Sequence, residues 1–210
     1  MASSAEPTPP MTLDEYLAFE ETSPVRHELV AGQVFAMTGG TIRHNRITGR
    51  IFAKLFAAAA DGPCRVLVND VKVRVDDLTV YYPDVLVVCA PVDDRSVLVG
   101  EPCLVVEVTS PSTRTTDRRE KLAGYQRIPS LRAYLLVEQD RKLVERHWRD
   151  DDGRWWHAAV DPERTAGRVP VPCPATELTL DEIYDGIELD APDEADGAQL
   201  RRVREPSAQA

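Results

Sequence analysis

Glu107 is the residue of this 210-residue chain hardest to explain as scaffold. It stands inside LVVEV, an apolar run that reads as a strand covered on both faces. An unpaired carboxylate there is costly enough to take up a proton, so a cation or strong donors must face it. Asp84, preceded by Pro83, opens a second apolar run, VLVVC, and by itself also reads as the polar cap of a strand end. If residues 84–89 and 103–108 pair as antiparallel neighbours, the start of the first lies beside the end of the second, and the two carboxylates share one site. Like charges that close need a metal ion or a lysine between them, and oxygen-only ligands favour Mg²⁺ or Mn²⁺ over zinc.

Lys121 is the third group. It falls in the first turns of a helix expected from about Asp117 to Arg127, near the positive end, where a cation is poorly placed unless an anion faces it. Asp117 and Glu120 read as a capping-type pair for that helix. The chain has four lysines against 21 arginines, which makes this one stand out, although a surface lysine remains the plain alternative. Tyr125, one turn on, shares its face. Residues 114–132 hold Arg114, Arg118, Arg119, Lys121, Arg127 and Arg132 against two acids, surroundings that suit a phosphodiester.

The elements that must position these groups are legible as patterns. Thr12 and Glu15 form a capping box for a helix from about Leu13 to Glu21, and HELVAGQVFAMT at 27–38 reads as a hairpin turned at Ala31-Gly32. From Thr41 to about Ala60 the spacing is helical, with Ile47, Ile51, Leu55 and Ala58 on one side. Arg43, Arg46, Arg50 and Lys54 form a basic stripe that is either a solvated face or a phosphate-facing one. Strands are expected at 66–75, 80–89, 103–110 and 133–138. A hairpin of 142–148 and 155–160 follows, with Trp148 and Trp155 as cross-strand partners, and Thr179 opens a last short helix.

Composition bounds the function. No segment approaches the roughly 18 apolar residues of a membrane span, and the amino terminus carries no secretory pattern, so a cytoplasmic protein is expected. The formal charge of −10 would oppose a nucleic-acid partner, but nine acids and no base fall within residues 176–199, leaving 26 acids against 25 bases elsewhere. That acidic end is either a solubilising tail or a cover over a basic groove. Cys64, Cys89, Cys103 and Cys173 lack zinc-finger spacing and read as reduced, mostly buried thiols. The expected organisation is a flexible leader at 1–10, one domain at 11–190 and a disordered tail at 191–210.

Taken together, MTLDEYL, HELVAGQV, YYPDVLVV, LVVEVTSPST with TDRREKLAGYQRIPSLRAYLLVE, and the closing LTLDEIY resemble the Uma-two family of endonucleases, within the PD-(D/E)XK restriction-endonuclease-like superfamily. The resemblance runs from about Met11 to Leu189. It implies an α/β fold: a restriction-endonuclease-like core with a central mixed β-sheet flanked by α-helices, to which the C-terminal β-hairpin is added. It also implies Asp84 and Glu107 as metal ligands and Lys121 as catalytic lysine. The superfamily's lysine usually stands two residues after the second acid, a place held here by Thr109, so the lysine is expected to have moved to the following helix. Glu28 and His44 match an early glutamate and a helix-start histidine of the family; His44 also reads as an ordinary helix-start polar residue. Ser110 and Tyr125 are expected to support the site by hydrogen bonds, and Arg114 and Arg118 to grip phosphates. The implied activity is Mg²⁺- or Mn²⁺-dependent hydrolysis of nucleic acid, DNA before RNA, and the fold type commonly works as a homodimer so that two sites address two strands. A non-catalytic nucleic-acid- or protein-binding module on the same fold, and a hydrolase of small phosphate esters, are the alternatives.

Overall fold

The structure is a computed structural model and describes residues 9–110, 114–163 and 165–189. Most of the expected leader, residues 1–8, and the tail expected at 191–210 lie outside the described residues. No helix among the described residues is long and apolar enough to cross a membrane.

Thr12 caps α1 (Leu13–Thr22) with the expected reciprocal box to Glu15, and the hairpin β1 (His27–Val30) and β2 (Gln33–Ala36) turns through Ala31 and Gly32, both at positive φ. Thr41 caps α2 (Ile42–Ala59), whose buried stripe is Ile47, Ile51, Leu55 and Ala59, rather than Ala58.

Residues 66–75 and 80–89, each read as one strand, are each divided. The first becomes β3 (Arg65–Val68) and β4 (Lys72–Asp76), broken where Asn69 takes a positive φ. The second becomes β5 (Thr79–Tyr81) and β6 (Val85–Val88), broken at Tyr82-Pro83-Asp84, where Pro83 has no N–H for a ladder. The short β7 (Leu98–Val99) and then β8 (Leu104–Thr109) follow. The chain crosses over through α3 (Arg114–Thr116), a π-helical segment (Asp117–Lys121) and α4 (Leu122–Tyr125) to β9 (Ala133–Glu138). The helix thus starts before Asp117, and Asp117 is buried inside it instead of capping it.

Two further hairpins close the chain: β10 (Val144–Arg149) with β11 (Trp155–Val160), and β12 (Arg168–Pro172) with β13 (Ala175–Thr179), the second not anticipated from sequence. In the first, Trp148 pairs with Trp156, while Trp155 lies opposite Arg149, whose guanidinium sits over its ring. Thr179 caps α5 (Leu180–Tyr184) as expected.

The central sheet is mixed, in the order β11-β10-β9-β8-β6-β3, with β8 and β9 parallel and the other pairs antiparallel. A second sheet runs β2-β1-β5-β4-β7. One face of the central sheet packs Val85, Val87, Val106 and Val108 on the α2 stripe, and the other packs Leu86, Val105 and Leu136 with Tyr125 and Tyr134.

The cysteines depart from the expectation of free thiols. Cys64 is bonded to Cys89 and Cys103 to Cys173, and none is free. Antiparallel pairing of Arg65 with Val88 sets Cys64 opposite Cys89 one step beyond, which the sequence separation of 25 conceals.

Candidate active site

Residue alternation along β6 and β8 decides what faces what. Val85 pairs with Val106, so the next step of that antiparallel register sets Asp84 opposite Glu107. Because side chains alternate, Glu107 points to the face opposite Val106 and Val108, toward Tyr125 and Tyr134. All six residues of β8 are buried, and Glu107 is 5% exposed, so its carboxylate needs internal donors.

The crossover helix supplies them. Lys121 Nζ lies 3.1 Å from Glu107 Oε1, and the Tyr125 hydroxyl donates to the same oxygen at 3.0 Å. Lys121 is 7% exposed and also reaches Glu28 Oε1 at 2.8 Å and Asp117 Oδ1 at 3.7 Å. Glu28, brought in by β1, accepts the Tyr82 N–H at 3.1 Å, tying the second sheet to the break before Asp84. Asp84 Oδ2 accepts the Val108 N–H at 2.7 Å and lies 3.2 Å from His44 Nε2, which α2 presents in its first turn. Asp84, Glu107, Lys121, Glu28, His44 and Tyr125 therefore form one connected cluster.

Its electrostatics are unbalanced. Burial, opposed by the Lys121 charge and reinforced by Asp84, Asp117 and Glu28, holds the Glu107 carboxyl well above its usual range. Burial alone would push Lys121 down, but Glu107, Glu28 and Asp117 outweigh it and keep the ammonium charged. For His44 too, burial pulls down and the hydrogen bond and charge of Asp84 win, so its pKa is raised. Four carboxylates thus surround one lysine and one histidine, an anionic surplus suited to a divalent cation. Thr109 Oγ1, on the Glu107 face of β8, is buried without a hydrogen-bond partner among the described residues. A hard oxygen-binding ion would fit this donor set, with Asp84 and Glu107 as the carboxylates able to hold it. The acids do not, however, gather three ligand atoms as tightly as three of the cysteines do.

Arg114 and Arg118 are placed differently. Arg114 lies 2.9 Å from Glu138 and 3.1 Å from Asp140, and Arg118 pairs with Glu138 and grips both oxygens of Glu145 at 3.0 and 3.1 Å. Both guanidinium groups thus meet carboxylates of β9, β10 and the turn between them, although Arg114 Nε has no hydrogen-bond partner among the described residues. Ser110 follows β8, its carbonyl accepting the Arg114 N–H at 2.9 Å. The basic stripe of α2 is likewise covered. Arg46 donates to the Gly186 carbonyl at 2.8 Å, Arg50 pairs with Asp185 at 3.0 Å, and Lys54 with Glu182 at 2.6 Å. Part of the acidic end therefore lies on this stripe.

Asp117 was not singled out from sequence as a site residue. The signal was its spacing of four from Lys121 within DRREK, which on a helix puts acid and lysine on one face.

Residues 13–181 match the Uma2 family model, described as "Putative restriction endonuclease". The chain belongs to the Uma2 family. It is 35% identical over 188 residues to "Uncharacterized protein slr1290" of Synechocystis sp. (strain ATCC 27184 / PCC 6803 / Kazusa), covering 88% of this chain and 97% of that protein. A second relative from the same organism, "Uncharacterized protein sll1609", is 30% identical over 149 residues, covering 69% of this chain and 84% of its own length. Among solved structures, "a putative nuclease belonging to DUF820" from Anabaena variabilis ATCC 29413 superposes with a TM-score of 0.68 at 19% identity, over 83% of this chain and 98% of that one. The Uma2 chain thus has a mixed α/β fold shared with that structure.

Proposed function

We propose that this Uma2 protein is a cytoplasmic, metal-dependent endonuclease that hydrolyses phosphodiester bonds in nucleic acid, with DNA as the substrate. The observation that carries the reading is the buried Glu107, register-opposite Asp84 and held by Lys121 and Tyr125. Asp84 and Glu107 are the groups that would hold Mg²⁺ or Mn²⁺, which when bound supplies Lewis-acid polarisation of the phosphate and a more acidic water.

The chain's own residues do the rest. Lys121, kept as an ammonium by three carboxylates, acts as a donor: it orients the attacking water and offsets charge developing on the phosphorane. Tyr125 fixes the Glu107 carboxylate, and His44 with the Val108 N–H fixes that of Asp84. Two copies acting together would let two such sites address the two strands.

One observation favours the rival reading of a non-catalytic module that binds weakly: the α2 stripe, Arg114 and Arg118 are all met by the protein's own acceptors. Cleavage of plasmid and single-stranded DNA by purified protein in Mg²⁺ or Mn²⁺ separates the two. Cleavage lost in both Glu107→Ala and Asp84→Ala, each still folded, is expected. Metal binding by calorimetry with no cleavage of either substrate, or cleavage that survives both substitutions, would sink the nuclease reading.

A further inference from the structure

All four cysteines of the chain meet at the end of the central sheet away from Asp84 and Glu107. Cys64 precedes β3, Cys89 follows β6, and Cys103 precedes β8, its N–H donating to the Val87 carbonyl at 2.7 Å. Cys173 sits in the turn of the β12–β13 hairpin, which contributes Val169, Val171 and Leu178 to the same apolar cluster. The sulfurs of Cys89, Cys103 and Cys173 all lie within 4.8 Å of one another, although Cys89 belongs to one disulfide and the other two form the second. Cys64 joins this group through its bond to Cys89. The four residues of β6 separate Cys89 from Asp84, roughly 16 Å of extended chain, so this cluster is separate from the candidate catalytic centre.

We propose that the four cysteines form a tetrathiolate site for a soft divalent cation, Zn²⁺ above all, in the reduced protein, and that the two disulfides are its oxidised, metal-free form. Two unrelated disulfides have no reason to pack sulfur against sulfur, whereas four strand-end and turn cysteines converging from separate segments are what a closed structural zinc site requires. A tetrahedral site with Zn–S near 2.3 Å places its sulfurs roughly 3.8 Å apart, so Cys89, Cys103 and Cys173 already stand near the required spacing, and Cys64, released from Cys89 by reduction, must swing in to complete it. Thiolate donors select zinc over the hard cation suited to Asp84 and Glu107. Such metal would staple the β12–β13 hairpin to β3, β6 and β8.

The chemistry balances. A dithiol reductant delivers two electrons and two protons to each disulfide, giving four thiols, and Zn²⁺ entry then displaces their four protons. In reverse, two molecules of a peroxide oxidise the four thiolates to two disulfides, take up four protons to form water, and release Zn²⁺.

Cobalt substitution of the full-length chain, reduced and kept anaerobic, tests this. The expected result is the intense visible bands of tetrahedral thiolate-bound Co²⁺ with thiolate-to-metal charge transfer, bleached by Zn²⁺ and lost on peroxide treatment. Those bands should persist in the Asp84→Asn/Glu107→Gln protein, which lacks the carboxylate site, and should be lost in Cys64→Ser and in Cys173→Ser. Reduced wild-type protein that titrates four thiols yet gives no such bands overturns the proposal by itself, whatever the variants do. Bands that survive both cysteine substitutions overturn it equally.

Discussion

Lys121→Met removes the only lysine of a buried cluster while keeping its apolar stem, and it tests whether the balance of charge around Glu107 is as described. Lys121 Nζ stands 2.8, 3.1 and 3.7 Å from Glu28, Glu107 and Asp117. At an effective dielectric near 20, each such separation corresponds to about 4–6 kcal/mol of Coulomb attraction. Much of that is cancelled by the desolvation of the ammonium, which is why the net figure must come from buried pairs that have been broken. Removing one partner of such a pair costs about 3–5 kcal/mol, because a buried charge is left uncompensated. For a chain of this length, about 2–4 °C of melting temperature per kcal/mol translates the loss into a fall of about 6–20 °C. The assay is urea and thermal unfolding in chelator-treated buffer at neutral pH. Adding Glu107→Gln to Lys121→Met removes the stranded carboxylate while leaving an acceptor for Tyr125, so the double variant should regain more than about 1 kcal/mol through their coupling. A single-variant loss below about 1 kcal/mol, or a double variant no more stable than the single one, would refute the electrostatic reasoning.

Tyr125→Phe deletes the second donor to Glu107; a hydrogen bond to a charged group at 3.0 Å sets a loss of about 1.5–3 kcal/mol by urea unfolding, and no measurable loss would mean the hydroxyl does not hold the carboxylate. Gly124→Ala puts a methyl 2.9 Å from the Tyr81 ring, which is buried against Tyr125 and lies under Lys121. The expected destabilisation is about 1–3 kcal/mol, and an alanine variant as stable as wild type would show that the ring yields freely. Burial, with the nearby His157, holds the His147 pKa below the ordinary 6.5, with Glu145 opposing. A depressed folded-state pKa gives stability that is complete above pH 6.5 and lost as pH falls through the lowered value, so His147→Phe should flatten the acid side of the stability profile between those two values. An unchanged profile would remove His147 from the account.

How much of this molecule can be read in its sequence depends on how far apart the interacting residues lie. Capping boxes at Thr12 and Thr179, the Ala31-Gly32 turn and the α2 stripe are decided within a few residues, and each appears where its local chemistry places it. The pairing of Asp84 with Glu107 was accessible for a related reason. Two apolar runs, each with one misplaced acid, have one antiparallel alignment that brings the acids together, and β6 and β8 adopt it. Local patterning failed where a break carries little apolar signal: Asn69 and Pro83 divide two strands that read as continuous, since alternation persists across the bend. It failed again at β12 and β13, where prolines at 170 and 172 argue against a strand although an isolated two-stranded hairpin tolerates them.

Long-range pairing was beyond such reading altogether, and it changes what the charged residues mean. A stripe of four cations on α2 reads the same whether it faces phosphate, water or the chain's own acids, because nothing within the helix distinguishes those partners. The structure brings Glu182, Asp185 and the Gly186 carbonyl onto it from more than a hundred residues away. Exposed pairs of this kind contribute only about 0–1 kcal/mol each, so a polyanion competing for the same cations would meet little resistance. The cysteines pose the same problem in a sharper form. Spacing within the chain argues against a zinc site, because ligands of small zinc modules usually come in close pairs. A sheet imposes no such rule: it aligns the ends of β3, β6 and β8 at one edge whatever the loop lengths between them, and a turn from the last hairpin supplies the fourth sulfur.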